Sequence, residues 1–291
     1  MASLARNPRL LVALTLVVTA ASACSGSRAT VGSARRSTTT TSTSTTSTTV
    51  TPPHGIRITG VAAPAGFATP GSTWISIARP DGVTQLASVF RPPTGSGPFP
   101  VAVFLHGSSG LPRPALDWAP RLAAAGFVVV AGCYLGADPR VASQVFLPCP
   151  GVPDDLHASP DASTAGVSTL VDAAGALPGV RPGPRAEVAI SLGANLALST
   201  DDPRVGAIAA DSGHRTVPGT TAAPVLLLGM TTDPNVPHPL VVAFEQAQAA
   251  AGRPVDAHYF RGTGHVTIFG PPAVADDATR RIVAFLREHE G

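Results

Sequence analysis

A serine in a predicted strand-to-helix turn is the first residue of this chain whose surroundings suggest chemistry. Residues 186–190 have the composition of a short buried strand, and residues 193–199 begin a helix with one apolar face. Ser191 lies between them, with Ala189 and Gly193 two positions away on either side. Small neighbours are needed there, because the two backbones crowd together in a sharp turn. The pattern is that of a nucleophile elbow, G-x-S-x-G, with alanine in place of the first glycine.

A carboxylate and a histidine follow two later predicted strands. Asp233 comes after the apolar residues 224–229, and His265 comes after residues 255–260. A carboxylate can orient a histidine, and a histidine can take a proton from a serine hydroxyl. The ordinary alternatives are a turn closed by Asp233 and a solvated loop histidine. The order Ser191, Asp233, His265 at three strand ends predicts nucleophilic catalysis.

Three other titratable residues are weighed against this set. Asp211 follows predicted strand 205–210 and is the alternative acid. His214 is predicted to line the pocket or the surface. His106 is predicted to shape the loop after residues 101–105 rather than to act as a base.

The elements that must position these residues form a regular series. Residues 73–78 and 84–90 alternate as half-buried strands around turn residues, which predicts a hairpin. The continuous apolar run 101–105 is typical of a strand buried on both faces. Helices are then predicted at 113–125, 162–177, 193–199, 240–251 and 273–289, and strands at 127–131, 186–190, 205–210, 224–229 and 255–260. This alternation predicts an α/β fold with a mostly parallel sheet, whose active site lies at the carboxyl ends of the strands.

The order and placement of these residues resemble those of the α/β-hydrolase superfamily. The loops around Asp233 and His265 are most similar to those of the dienelactone hydrolase-type group. Members of that group can carry cysteine as the nucleophile, whereas serine stands at the matching position here. The resemblance covers about residues 71–289. It implies the α/β-hydrolase fold, with helices on both faces of the central sheet and an N-terminal antiparallel hairpin, and a serine hydrolase acting on a small-molecule carboxylic ester.

The resemblance also implies an oxyanion hole made of two backbone N–H groups. One belongs to Ser108, in the turn that starts with His106 and Gly107. The other belongs to Leu192, at the positive end of the helix after the elbow. No metal or organic cofactor is expected, because the sequence has no metal-spaced cluster and no glycine-rich phosphate loop.

Two other functions stay open at this stage. One is a noncatalytic binding module on a hydrolase fold, which reaction with a serine-directed fluorophosphonate would exclude. The other is a small prolyl oligopeptidase-like peptidase, which cleavage of amides rather than esters would reveal. Neither the particular ester nor the oligomeric state follows from the sequence.

The N-terminus has the pattern of an export signal. Arginines precede a short apolar run, and the run ends in Ala-Ser-Ala-Cys24, which resembles a bacterial lipoprotein box. Residues 1–23 are therefore predicted to be a lipoprotein signal peptide, 24–52 a Ser/Thr-rich disordered tether and 53–291 the hydrolase domain. Lipidation of Cys24 would anchor the protein to the outer side of a bacterial cell membrane. The alternative is an ordinary cleaved signal and a secreted protein.

Composition and cysteine content narrow the possible partners. The chain has 291 residues, 44% of them hydrophobic and 13% charged, which is typical of a globular protein. Five of its twenty arginines precede Pro52 and all eighteen acidic residues follow it, so the domain is mildly acidic and nucleic acid is not an expected partner.

In an exported chain Cys133 and Cys149 are predicted to form a disulfide, the alternative being two unpaired thiols. The loop 135–157 around them is predicted to form part of the pocket wall.

Overall fold

The computed structural model describes residues 53–136, 145–147, 149, 152, 160–215 and 220–289. The predicted signal peptide, Cys24 and the predicted tether lie outside the described residues, so they stay predictions of the sequence. No helix within the described ranges is long and apolar enough to cross a membrane.

In the described part of the chain, one sheet of nine strands carries the fold. The strands are β1 (Arg57–Val61), β2 (Ser72–Ala78), β3 (Thr84–Phe90), β4 (Val101–Leu105), β5 (Val128–Gly132), β6 (Arg185–Ile190), β7 (Val205–Asp211), β8 (Val225–Thr232) and β9 (Val255–Thr263). Their order across the sheet is β1-β2-β3-β5-β4-β6-β7-β8-β9. The pairs from β1 to β5 are antiparallel, and the pairs from β5 across to β9 are parallel. Every residue of β4 and β5 is buried, as expected for apolar strands covered on both faces.

Five α-helices among the described residues cover the two faces of this sheet. They are α1 (Arg113–Ala124), α2 (Pro160–Ala176), α3 (Leu192–Ser199), α4 (His238–Ala250) and α5 (Pro272–His289). Apolar side chains of α2, α3 and α4 form one core cluster with alternate residues of the strands, and those of α1 and α5 form the other. The structure therefore confirms the predicted α/β-hydrolase architecture, including the N-terminal antiparallel hairpin of β2 and β3.

Strand β1 does not follow from the sequence pattern. Of its five residues only Ile58 is buried, and Val61 is 39% exposed. It is an edge strand held by its register with β2, where Ile58 lies opposite Ile77. A strand with one apolar contact has too little alternation to be recognised from the chain alone.

Strands β8 and β9 run beyond their predicted ends as an exposed two-stranded ribbon. Thr232 and Thr263 lie opposite each other at its tip, and the N–H of Gly264 donates to the Thr232 carbonyl at 3.4 Å. Asp233 and His265 follow these paired positions within two residues. The ribbon therefore delivers the two side chains to the same place.

A disulfide joins Cys133, directly after β5, to Cys149, with their Cα atoms 5.9 Å apart. The described residues near Cys149 lie against the start of α1. The N–H of Arg113 donates to the Val145 carbonyl at 2.7 Å, and the N–H of Leu147 donates to the Leu111 carbonyl at 2.9 Å. Most of the loop 135–157, which is predicted to form part of the pocket wall, lies outside the described residues.

Replacing both cysteines by alanine should lower the free energy of unfolding by about 3 kcal/mol, because the bridge closes a loop with a sequence separation of 16. Alanine suits both positions, since both side chains are buried. Urea denaturation measures the effect, and wild type unfolded in the presence of a thiol reductant should match the variant. Equal midpoints for oxidised wild type and the variant would show that the bridge contributes nothing.

Candidate active site

The turn between β6 and α3 holds Ser191 in a backbone conformation that is rare for a residue with a side chain. Its φ is 51° and its ψ is −119°. Strained backbone of this kind persists only where the surrounding structure fixes it, and it is frequent at functional sites. The N–H of Ser191 donates to the Asp211 carbonyl at 2.9 Å, and its carbonyl accepts from the N–H of Asn195 at 3.1 Å. Both sides of the turn are therefore held.

The two positions flanking Ser191 differ in how much space they have. A Cβ atom at Gly193 would lie 2.5 Å from the His106 carbonyl oxygen and 2.6 Å from that of Leu105, so only glycine fits there. Ala189 is fully buried between Leu105 and Ala210 of the neighbouring strands. It shares a core cluster with the alanines of α3. The small residues around Ala189 accommodate its methyl group, so the first glycine of the elbow pattern is not required in this chain.

Asp233 and His265 form a hydrogen-bonded pair at the same edge of the sheet. The Nδ1 of His265 lies 2.8 Å and 3.0 Å from the two carboxylate oxygens of Asp233. An ionised carboxylate only accepts hydrogen bonds, so Nδ1 carries the proton and Nε2 is left as an acceptor. The Asp233 side chain is only 3% exposed.

Two backbone groups complete the surroundings of the Asp233 carboxylate. The N–H groups of Asn235 and Val236 donate to it at 2.8 Å and 3.0 Å. Burial by itself would raise the pKa of Asp233. The hydrogen bonds from His265, Val236 and Asn235 outweigh burial, so the pKa of this carboxyl lies below its ordinary value.

Ser191 Oγ and His265 are not hydrogen-bonded to each other in the described part of the chain. Such contacts in a site without substrate are often long and tighten when the substrate binds. The two residues are nevertheless linked through β7, because Asp211 accepts the Ser191 N–H with its main-chain carbonyl and contacts the turn after His265 with its side chain.

The turn after β4 lies against the serine. A Cβ atom at Gly107 would be 3.7 Å from Ser191 Oγ. The N–H of Ser108, one residue on, donates to no other residue within the described ranges. Leu192 is the first residue of α3, so its N–H has no partner within the helix. These are the two groups predicted for an oxyanion hole, and neither N–H has a partner in the described part of the chain.

His106 and Tyr134 hold that turn in place. The Nδ1 of His106 donates to the Gly107 carbonyl at 2.8 Å, and the Tyr134 hydroxyl donates to the His106 carbonyl. The two rings stack with centroids 4.3 Å apart. Because a peptide unit is planar and trans, fixing the Gly107 carbonyl also fixes the opposite direction of the Ser108 N–H. Sequence reasoning missed Tyr134, since nothing in its local pattern marks this contact.

Burial determines the protonation state of His106. The ring is fully buried, and burial lowers its pKa to about 4 although the hydrogen bond with Gly107 opposes this change. His106 is therefore neutral at pH 7. This agrees with a role in shaping the loop, because its donor nitrogen is already used.

Two further residues weighed from the sequence lie near the site. The Asp211 carboxylate accepts hydrogen bonds from Thr267, Ile268 and Ser212, and not from the His265 ring. The geometry thus favours Asp233 over Asp211 as the partner of the histidine. His214 is half-buried, and its N–H donates to the Asn195 side chain at 2.8 Å. Among the described residues, no group of three or more His, Cys, Asp or Glu side chains is arranged to hold a metal ion.

The lowered pKa of Asp233 predicts a pH-dependent contribution to stability. A folded-state pKa below the unfolded value, about 3.9, stabilises the protein above that value, and the contribution is lost as the pH falls through the folded pKa. Asp233→Asn should therefore lower the free energy of unfolding by about 2 kcal/mol at pH 7. The difference from wild type should shrink as the pH falls below about 4.

Urea denaturation of both proteins between pH 2 and 7 measures this difference. Asp256→Asn, a change at an exposed residue of β9, controls for the loss of one negative charge. A difference between wild type and Asp233→Asn that stays constant with pH would contradict the lowered pKa.

Comparison with known proteins places this fold among solved structures. No protein-family model matches the sequence, and no curated protein matches it either. The structure of a dienelactone hydrolase-like promiscuous phosphotriesterase from metagenomic libraries is similar with a TM-score of 0.61 and 18% identity, over 75% of this chain and 99% of that one. The structure of a thermophilic esterase from the Planctomycetes species Thermogutta terrifontis is similar with a TM-score of 0.57 and 17% identity, over 77% of this chain and 96% of that one. The structure of esterase PE8 is similar with a TM-score of 0.51 and 22% identity, over 69% of this chain and 97% of that one. The chain therefore has the α/β-hydrolase fold, in the form found in dienelactone hydrolase-like and esterase structures.

Proposed function

We propose that this protein is a serine hydrolase that cleaves a small carboxylic ester through an acyl-enzyme on Ser191. The observation that carries the proposal is the hydrogen-bonded pair of Asp233 and His265 at the same sheet edge as a serine with positive φ. The esterase and dienelactone hydrolase-like structures of the same fold support this choice of reaction.

In the proposed mechanism each group has a defined part. His265 Nε2 takes the proton from Ser191 Oγ as the oxygen attacks the ester carbonyl carbon, and the carbonyl oxygen becomes an oxyanion. The tetrahedral intermediate then expels the alkoxide, which receives the same proton from His265. Water repeats the sequence on the acyl-enzyme and releases the carboxylic acid. Asp233 keeps the proton of the ring on Nδ1 and stabilises the imidazolium that forms in each half-reaction.

The N–H groups of Ser108 and Leu192 would stabilise the oxyanion. Such donors are effective when they are held in place before the charge develops. The Gly107 carbonyl, which shares a peptide unit with the Ser108 N–H, accepts from His106 and from the N–H of Gly110, the latter at 3.2 Å. Loss of one oxyanion donor costs about 3–4 kcal/mol in comparable enzymes. Apart from the substrate and the hydrolytic water, every group named in this mechanism belongs to the chain itself.

Ser191→Ala should abolish reaction with a fluorophosphonate probe and lower kcat for p-nitrophenyl esters by about 10⁴-fold or more, because the nucleophile is removed. Asp233→Asn should lower kcat by a similar factor, because the ring loses its orienting carboxylate. Ser199→Ala, at the other end of α3, is the matched control and should keep both activities.

Three results would contradict the proposal in different ways. A folded wild type that neither reacts with the probe nor cleaves any ester would favour a binding module. Labelling together with cleavage of peptide amides but not esters would favour a peptidase. Labelling that persists in Ser191→Ala would place the nucleophile elsewhere.

The two small residues of the elbow should respond differently to substitution. Gly193→Ala places a methyl group against the His106 carbonyl and should separate the elbow from the oxyanion turn, lowering kcat by about 100-fold. Ala189→Gly should leave kcat close to wild type, because the alanine already fits. Both values are measured per active site by titration with the probe. A large increase in kcat for Ala189→Gly would show that the alanine distorts the elbow.

A further inference from the structure

The turn after His265 contains a second strained backbone conformation. Val266 has a φ of 64° and a ψ of 100°, which is unusual for a β-branched residue. Ser212, directly after β7, has a φ of 57°. Such conformations persist only where neighbouring groups hold them. Val266 directly follows His265, so the contacts that hold this turn also affect the position of the His265 ring.

Two adjacent side chains at the end of β7 hold it. Ser212 Oγ accepts from the N–H of Val266 at 3.0 Å. Asp211 Oδ1 accepts from the N–H of Thr267 at 2.9 Å, and Oδ2 accepts from the N–H of Ile268 at 3.0 Å and from the Thr267 hydroxyl at 2.9 Å. The Ser212 hydroxyl also donates to Asp211 Oδ1 at 3.2 Å. Three consecutive backbone N–H groups after the histidine are thus bonded to side chains of Asp211 and Ser212.

The chemistry of these contacts requires a carboxylate. Both oxygens of Asp211 face donors, and the residue is only 1% exposed. An amide in its place would turn an NH₂ group toward the backbone N–H of Thr267 or of Ile268, and that N–H group would then lose its acceptor. A buried carboxylate is costly unless donors surround it, and here four donors do. These contacts use the Asp211 oxygens fully, so this group is not available to bond the His265 ring.

The same residue also fixes the nucleophile turn. The main-chain carbonyl of Asp211 accepts the N–H of Ser191 at 2.9 Å, in register with Ile190 of β6. Asp211 therefore contacts the serine turn with its backbone and the histidine turn with its side chain. No other residue in the described part of the chain hydrogen-bonds to both Ser191 and the segment Val266–Ile268.

We infer that Asp211, with Ser212, is a positioning residue that sets the distance between His265 and Ser191. The inference rests on the proposed serine hydrolase function and extends it. It gives Asp211 a part in turnover that differs from the role of alternative acid weighed for it from the sequence. In this inference the strained Val266 conformation has a role, because it orients the residue before it, His265.

The test is Asp211→Asn, studied by kinetics and by proton NMR. We expect kcat per folded molecule to fall by about 100-fold with KM little changed, because the ring moves while no substrate contact is lost. The low-field resonance of the His265 Nδ1 proton shared with Asp233 should shift or broaden, because the ring is no longer held. Ser212→Ala removes the acceptor for the Val266 N–H and one of the four donors to Asp211, but leaves the bonds from Thr267 and Ile268 to Asp211, so it should give a smaller change in the same direction. It provides the test if Asp211→Asn fails to fold.

Gln248→Met is the matched control for lost buried hydrogen bonds. Gln248 is fully buried in α4 and bonds the backbone N–H and carbonyl of Thr221 at 3.0 Å and 2.8 Å, on a different part of the fold. It should reduce stability without changing kcat or the His265 resonance. If a folded Asp211 or Ser212 variant keeps wild-type kcat and the wild-type resonance, the two residues only stabilise the fold and the inference is wrong.

The NMR signal separates this inference from the proposed function. If wild type cleaves no ester, the proposed function fails, yet the resonance still shows whether Asp211 positions the histidine. If wild type is active and the variants are unchanged in both readouts, only the positioning inference fails.

Discussion

The backbone of Ser191 constrains how the turns after β4 and β6 pack at the carboxyl edge of the sheet. With φ at 51° the chain leaves β6 and enters α3 within one residue, and α3 starts close to the end of β4. That closeness is why Gly193 meets the carbonyls of His106 and Leu105 and why a side chain there has no room. The turn carrying Ser108 and the turn carrying Ser191 therefore determine each other's position. The strained backbone of Ser191 persists because both sides of its turn are held by hydrogen bonds to Asp211 and Asn195.

The two carboxylates at this edge, Asp233 and Asp211, make different contacts because their surroundings differ. Asp233 follows the exposed end of the ribbon of β8 and β9 and bonds the imidazole of His265. Hydrogen bonds therefore outweigh burial, and the pKa of Asp233 is lowered. Asp211 lies deep at the end of β7, where its oxygens accept from backbone and hydroxyl donors. One group orients the histidine ring, and the other holds the turn from which the ring projects. Both aspartates thus act on the surroundings of His265: Asp233 bonds its ring, and Asp211 bonds the turn that follows it.

The parts of the fold that follow local patterns could be predicted from the sequence. Continuous apolar runs indicate β4 and β5, and the series of helices and strands indicates the parallel sheet. The rule that sites lie at carboxyl ends then indicates Ser191, Asp233 and His265. The structure brings the last two into contact and places Ser191 beside the turn that carries Ser108. Edge strand β1 could not be predicted, because it has one buried residue and little alternation.

The supporting contacts could not be predicted for a different reason. Tyr134 bonds a residue 28 positions away, and Asp211 bonds residues 56 and 57 positions away. These contacts depend on how strands are ordered in the sheet, which no local spacing records. The positive φ of Val266 is equally invisible, because valine ordinarily favours extended backbone. The sequence indicates which groups are candidates for the chemistry, and the structure adds what holds them.

The most direct test of the central claim is to trap the acyl group on Ser191. Wild type is mixed with p-nitrophenyl acetate, quenched in acid during turnover and digested with trypsin, and the peptides are examined by mass spectrometry. Cleavage after Arg185 and Arg204 releases peptide 186–204, which contains Ser191. We predict one added acetyl group on this peptide, located at Ser191 by fragmentation and absent from Ser191→Ala. An acetyl group at another residue, or turnover with no acylated peptide, would contradict the assignment of Ser191 as the nucleophile.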